Sequence, residues 1–399
     1  MKECVPVSEI NEIVSKVKTW NPLRAEKQEP FDYIDLSSID QQKKVIVSTS
    51  KISPKEAPSR ARQLVQKGDI LISTVRPNLN GVAYVPEQLD GATASTGFCV
   101  LRPMQKTLYG SYLFHWVQTS HFVNEMVKLA TGANYPAVSD RIVKASRIPL
   151  PPFEEQKRIA GILDKAAAIR RKREKAIVLA DDFLKSVYLD MFGDPITNPK
   201  GWVTEKIHPL IDSIETGLNI NGENRLREQD EFGVLKISAV TSGIFIPNEH
   251  KVVLVENVRR KVSPRKGDLL FSRANTRELV AATCIVEKDE PNLFLPDKLW
   301  RINTKESKLK KEYLKYLFTH KQFRMELTKQ ATGTSGSMLN ISQKKLLDLN
   351  IPLPPIELQK KFSAIFWRYS ETINKLNELK KNSEHLFLSL SQRAFRGDL

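Results

Sequence analysis

IPLPPFEEQKRIAGILDKA (Ile148–Ala166) and IPLPPIELQKKF (Ile351–Phe362) are two versions of one segment, and each reads as the entry to a long helix. Pro151-Pro152 and Pro354-Pro355 suit a first helical turn, where proline's fixed φ fits and its missing N–H costs nothing. Glu154, Glu155 and Glu357 follow, at the positive end of the helix dipole. Beyond them, Ile159, Ile162, Ala166, Ile169, Ala176, Ala180, Phe183 and Val187 step by threes and fours. So do Phe362, Ile365, Tyr369, Leu376, Leu379, Leu386 and Leu390. That spacing, close to 3.5 residues, is the seam of a coiled coil. Gly193-Asp194-Pro195 and Gly397-Asp398 are stop signals. Each helix is expected to run about 38 residues, roughly 57 Å.

Working outward, the whole first half of the chain returns in the second. KGDILIS (Lys67–Ser73) recurs as KGDLLFS (Lys266–Ser272). YLFHWVQTSHFVNEMVKLATG (Tyr112–Gly132) recurs as YLKYLFTHKQFRMELTKQATG (Tyr313–Gly333). The offset drifts only from 199 to 203 residues. So long a period makes each copy a whole domain rather than a solenoid unit. YIDLSSI (Tyr33–Ile39) and VLKISAV (Val234–Val240) alternate like half-buried strands, while DILIS and DLLFS read as buried strands after a Lys-Gly turn. A helix is expected over residues 110–129 and again over 311–330, followed by a Gly-containing loop.

The expected fold is α+β, with two similar globular domains (1–152 and 194–355) separated by two long helices (153–193 and 356–399). Neither helix can bury its stripe alone. Antiparallel packing as a coiled coil satisfies both and gives a pseudo-twofold arrangement, with Ile159, Ile162, Ile169, Phe183, Phe362, Ile365, Leu376 and Leu386 at the helix–helix spacer. The competing expectation is that each helix packs only on its own domain.

Composition narrows the function. A length of 399 residues calls for two domains. No run is apolar enough to span a bilayer, and MKECVPVSEINEIVSK does not read as a signal peptide. Cys4, Cys99 and Cys284 are few and scattered, which points to small core residues in a reducing, cytoplasmic setting. A net charge of +16 points to a polyanionic partner, because neutralising phosphates releases counterions. Solubility alone is the plainer reading.

Catalytic patterns are missing. There is no P-loop, no glycine-rich dinucleotide fingerprint, no HExxH or GxSxG, and no Cys/His metal spacing. Asp297, Glu306 and Lys308 match the loose carboxylate–lysine spacing of Mg²⁺ nucleases, but the first copy has no counterpart. No catalytic residue, metal or cofactor is assigned to this chain; the alternatives kept open are a Mg²⁺ nuclease and a protein–protein scaffold.

Polar side chains after the Lys-Gly-Asp strand carry the positive expectation. Arg76, Asn78 and Asn80 in the first copy, and Arg273, Asn275 and Arg277 in the second, are of the types that pair bidentately with guanine or adenine edges. Asn134 and Tyr135 in TGANYPAVS, and Thr334 and Ser335 in TGTSGSMLNIS, are candidate phosphate or base contacts. Lys236 and Ser238 in VLKISAV complete the candidate set. Two basic runs, Arg170 to Lys175 and Arg259 to Lys266, are further candidates for phosphate contact, or solvated faces.

These features together resemble the specificity subunit of type I restriction-modification enzymes: the repeated KGD strand, the Ala-Thr-Gly loop, the IPLPP…EQK helix entry, MFGDP (Met191–Pro195) and NPKGW (Asn198–Trp202). The resemblance spans nearly the whole chain. It implies two target-recognition domains that read a bipartite double-stranded DNA sequence, bound to two methyltransferase (modification) subunits and to restriction/translocase subunits. S-adenosylmethionine, ATP and Mg²⁺ would serve those partners. The longer loop of the second copy implies unlike half-sites.

Overall fold

The computed structural model describes residues 5–26, 29–254, 261–333 and 338–399. Two compact units emerge: residues 1–174 with 379–399, and residues 175–378. Both divisions fall inside a long helix.

In the first unit, Phe31–Ile34 pairs antiparallel with Ser50–Ile52 and parallel with Thr93–Ser95, which pairs antiparallel with Ala61–Leu64. A second, antiparallel sheet runs Val14–Ser15, Phe98–Pro103, Ile70–Ser73, Val82–Tyr84. The second unit repeats the plan. Phe232–Leu235 pairs antiparallel with His250–Val253 and parallel with Leu293–Phe294. Its antiparallel sheet runs Ile211–Thr216, Leu299–Thr304, Leu269–Ser272, Thr283–Ile285. The Lys-Gly-Asp strand is therefore central in both. Gly68 and Gly267 take φ near +87° and +86°, which only glycine adopts without strain. The aspartate then turns inward: Asp69 receives both the Nε and Nη2 of Arg102 (2.8 and 2.7 Å), and Asp268 receives Nη1 of Arg301 (3.1 Å).

The sequence-derived strands are shorter than their apolar pattern. Tyr33–Ile39 stops at Ile34, because the Asp35 carboxylate accepts from the N–H of Ser37 and Ser38 and winds a tight turn over Leu36–Ser38. Val234–Val240 stops at Leu235, with a helical turn over Ser238–Thr241. The expected helices break in two. Gly110–Trp116 is followed by Ser120–Leu129, capped by Thr119, and Lys311–Thr319 by Lys321–Lys329.

The Ile-Pro-Leu residues form an edge strand rather than a linker. Arg147–Pro149 pairs with Val7–Glu9, and Asn350–Pro352 with Thr204–Lys206. The long helices then run Phe153–Phe192 (40 residues) and Ile356–Arg396 (41 residues). The glutamine of each EQ/LQ pair is buried at the helix start. Gln156 accepts from the Tyr109 N–H (2.9 Å) and donates to the Thr107 and Pro151 carbonyls (3.0 and 2.9 Å). Gln359 accepts from the Lys310 N–H (2.9 Å) and donates to the Lys308 and Pro354 carbonyls (3.2 and 2.8 Å). Beside them Tyr112 and Tyr313 donate their hydroxyls to Pro149 and Pro352. Each helix is thus locked to the sheet domain that precedes it.

Each unit pairs the start of one long helix with the end of the other, which makes the pairing antiparallel. In the first unit Ile159, Ala160 and Leu163 share a core with Phe387, Leu390, Ala394 and Phe395. In the second, Leu184, Tyr188 and Phe192 share a core with Phe362, Ile365 and Phe366. Of the eight expected spacer positions, Ile159 and Phe362 are buried, and Ile162, Ile365 and Leu376 are half-buried. Ile169, Phe183 and Leu386 are instead exposed, at 47, 63 and 55%. The cause is phase. A straight α-helix drifts about 20° per heptad from a 3.5 repeat, so a stripe laid out from Ile159 slips by a residue and the inward positions become Leu184 and Tyr188. Two arginines of the mid-helix run also face the partner helix: Arg170 lies over the Phe387 ring (4.9 Å), and Arg173 donates to the Leu379 carbonyl.

Gln156→Leu should keep the volume but orphan one buried N–H and two carbonyls. At about 1–3 kcal/mol per unsatisfied buried group, a loss of roughly 3 kcal/mol is expected. Urea denaturation reads it against the exposed-site control Glu154→Gln, which should change stability by less than about 0.5 kcal/mol.

Candidate nucleic-acid interface

After the central strand of the first unit, the chain zips onto the Ala-Thr-Gly loop. The Val138 N–H donates to Thr74 O (2.9 Å), and the Arg76 N–H donates to Pro136 O (2.7 Å). Thr131 and Ala137 close the loop with reciprocal bonds of 2.9 Å. Two polar loops far apart in sequence therefore make one surface. Arg76 and Asn80 take left-handed φ of 51° and 46°, bracketing the turn Pro77–Leu79. This backbone lifts the Arg76 guanidinium over the Tyr135 ring at 4.8 Å, an attraction between a cation and the ring's negative face. Tyr135 is 69% exposed, and Asn134 beside it and Asn78, just after Arg76 and Pro77, are exposed as well.

Asn80 does not join them. Its side-chain Nδ2 donates to Val117 O (3.4 Å), its backbone carbonyl accepts from the Lys44 ammonium, and its Oδ1 is buried. Lys44 is a residue the sequence reading missed. Burial, with Arg170 nearby, lowers its pKa to about 8, still above neutral pH, so the group at the back of this loop remains mostly an ammonium.

The second unit builds the same junction. The Ile341 N–H donates to Arg273 O (2.9 Å), and Ala274–Asn275 pairs with Leu339–Asn340. Equivalent hydrogen bonds align Arg273 with Thr74, and so Asn275 with Arg76 and Arg277 with Asn78. The arginine and asparagine have exchanged places. Arg277 is exposed. Asn275 is half-buried and turns its Oδ1 to the Thr276 N–H (2.8 Å). Arg273 faces inward: its Nε donates to Asp297 O (3.0 Å), and it lies 5.9 Å from the Trp300 ring centre. Lys236 and Ser238 gather at Glu249, with Ser238 Oγ donating at 2.7 Å and the Lys236 ammonium at 3.9 Å. Their charge is thereby offset within the fold. Thr334 and Ser335 lie outside the described residues, as do Arg259 and Arg260.

A third segment joins each junction. Gly97 O accepts from the Thr74 N–H (3.0 Å), and Lys298 O from the Arg273 N–H (3.1 Å). In sequence these positions read as ordinary turn residues; only strand register brings them here.

The carboxylates of the loose nuclease pattern do not converge on a metal. Glu306 pairs with Lys310 at 2.7 Å, while Asp297 uses its backbone carbonyl for Arg273 and Thr216. Among the described residues, no group of three His, Cys, Asp or Glu side chains could hold an ion. Cys99 and Cys284 are buried thiols whose pKa burial pushes up. No helix is long and apolar enough to cross a membrane.

Two copies of one sheet module, each with a compound polar loop, joined through long helices and strongly basic overall, define a two-headed recognition protein. The chain belongs to the family of type I restriction modification DNA specificity domains, whose model matches residues 3–178 and 199–384. Its function is accordingly the recognition of a DNA target. It is 28% identical to the EcoKI specificity subunit of Escherichia coli K12, and 25% identical to the StySPI specificity subunit of Salmonella potsdam. Each match covers 92% of this chain and 80% of the relative. A solved structure from work on complex assembly and conformational transition of the type I R-M system superposes with a TM-score of 0.58 at 26% identity, covering 99% of this chain and 98% of that one. The S subunit of M. genitalium shares the fold with a TM-score of 0.60 at 14% identity, covering 99% and 97%.

Arg76 and Arg273 should separate in experiment. Arg76→Ala removes an exposed side chain, so stability should change by less than about 0.5 kcal/mol while target affinity falls by about 1–3 kcal/mol, the range for a lost bidentate base contact. Arg273→Ala frees the Asp297 carbonyl and should lower stability by about 1–3 kcal/mol. Denaturation and DNA-binding titrations on both variants read the difference.

Proposed function

We propose that each unit reads one half of a bipartite double-stranded DNA target, and that all catalysis belongs to partner subunits. The first unit uses Arg76, Asn78, Asn134 and Tyr135, and the second uses Asn275 and Arg277. The observation that carries this reading is the compound loop, built by the same backbone bonds in both units but with arginine and asparagine exchanged. Arginine favours guanine and asparagine adenine in the major groove, so the exchange fits two unlike half-sites. Surrounding lysines and arginines fix register on phosphates without reading sequence.

The partners in this proposal are two modification subunits, which use S-adenosylmethionine to methylate adenine, and restriction/translocase subunits, which need ATP and Mg²⁺. The paired long helices serve as the spacer that sets the gap between half-sites. Presentation on one face of B-DNA requires a separation near one helical turn, about 34–36 Å.

Selection from a randomised duplex library with the assembled complex should return two conserved blocks and a constant gap. Arg76→Ala or Asn78→Ala should relax one block only, and Arg277→Ala the other. Relaxation of both blocks by one substitution would refute the modular reading. Deleting seven residues from each long helix removes about 10 Å and should shorten the gap by roughly three base pairs. An unchanged gap in a folded, binding-competent deletion rules out the spacer role. A nuclease built on Asp297 and Glu306 predicts instead that the isolated chain cuts plasmid with Mg²⁺.

A further inference from the structure

The second unit contains a cavity of about 710 Å³ between the first long helix, the second long helix and Lys311–Thr319. Its walls are largely apolar, with Ile285, Phe366 and Ile373 among them, and the exposed side chains of Val178, Leu189 and Ile244 also line it. This volume falls in the range of small-molecule sites.

The first unit shows how the same corner is otherwise filled. Strand register and the 201-residue repeat offset align Ile285 with Tyr84 and Lys315 with Phe114. In the first unit Tyr84 and Phe114 pack as a tilted pair with ring centres 4.6 Å apart, and Phe387 lies 6.0 Å from His115 beneath Arg170. The second unit has an isoleucine and a lysine where the first has two aromatic rings. Both of these residues line the cavity, so no ring stands at either position and a cation does at one.

Two carboxylates of the cavity, Asp181 and Glu287, are already engaged. The Asp181 oxygens are taken by Tyr369 (3.2 Å) and Lys185 (2.6 Å). The Glu287 oxygens are taken by Ser370 and Asn374. Among the described residues, the Lys315 ammonium makes no hydrogen bond or ion pair; it lies 4.2 Å from the centre of the Tyr316 ring, within electrostatic reach of Asp181 and Glu287. Nδ1 of His320, also in the lining, is buried without a partner. The Lys315 ammonium can only donate and so calls for an acceptor, while His320 Nδ1 and the Tyr188 hydroxyl, also buried in the lining without a partner, can serve in either role.

We propose that this cavity binds a small organic acid, its carboxylate meeting Lys315 and its apolar body lying between the two long helices. Burial lowers the Lys315 pKa to about 8 although Asp181 and Glu287 nearby act to raise it, so an anion bonded directly to the ammonium would add to their attraction. The site is separate from the DNA-reading loops, so its fate does not depend on theirs.

Decanoate, decanol and decylammonium probe the site by calorimetric titration of the full-length chain. Decanoate should bind saturably at one site, with decanol weaker and decylammonium weakest. Lys315→Met keeps the chain's apolar stem and should weaken decanoate by about tenfold or more, as for a lost charge-assisted hydrogen bond, while changing decanol by less than about twofold. Ile285→Tyr, which restores one of the filling rings of the first unit, should weaken all three ligands; circular dichroism confirms that both variants fold. No saturable decanoate binding, equal affinity of Lys315→Met for decanoate, or a preference for decylammonium overturns the proposal.

Discussion

A glutamine side chain has one acceptor and one two-proton donor, and at positions 156 and 359 all of that capacity is spent on backbone groups of the adjoining domain. Both residues are essentially without solvent exposure, 1% and 0%. In so dry a setting an unmet amide costs more than the helix start can recover, so the helix direction is fixed by its first turn. Everything downstream follows from that constraint. A helix of about 40 residues cannot bury its apolar positions alone, and within each unit they share a core with the other long helix, which runs the opposite way.

The two units keep this lock and vary what surrounds it. In the first unit, Asp164 on the long helix accepts from Ser111 and His115 on the domain. Burial raises its pKa, but those bonds outweigh burial and leave it lowered. In the second unit the carboxylate has moved to the domain: Glu312 accepts from Ser363 and from Trp367 on the long helix. The two latches have opposite polarity, so the Asp164 helix set against the Glu312 domain would place like charges together. Duplication supplied the scaffold, and divergence made each domain fit its own helix.

The candidate interface follows the same logic. Its backbone is common to both units because it is built from strand ends and reciprocal loop bonds that need no particular side chain. The side chains that project from it are free to change, and Arg76 and Asn275 mark the same position with different chemistry. A rigid frame with exchangeable side chains is suited to reading many targets with one fold, since affinity from phosphates and specificity from base edges are supplied by separate groups.

The sequence by itself determined the duplication, the two long helices, the central Lys-Gly-Asp strands and the class of partner, because these rest on local periodicity, proline and glycine geometry, and net charge. It did not place the candidate side chains. Arg76 and Arg273 look alike in sequence, yet one is exposed over Tyr135 and the other is bonded to the Asp297 carbonyl. Phe183 fits the stripe, yet Leu184 is the residue inside. Tertiary structure decided these points because a phase drift of a fraction of a turn, accumulated over forty residues, and hydrogen bonds between segments dozens of residues apart, leave no local trace in the order of amino acids.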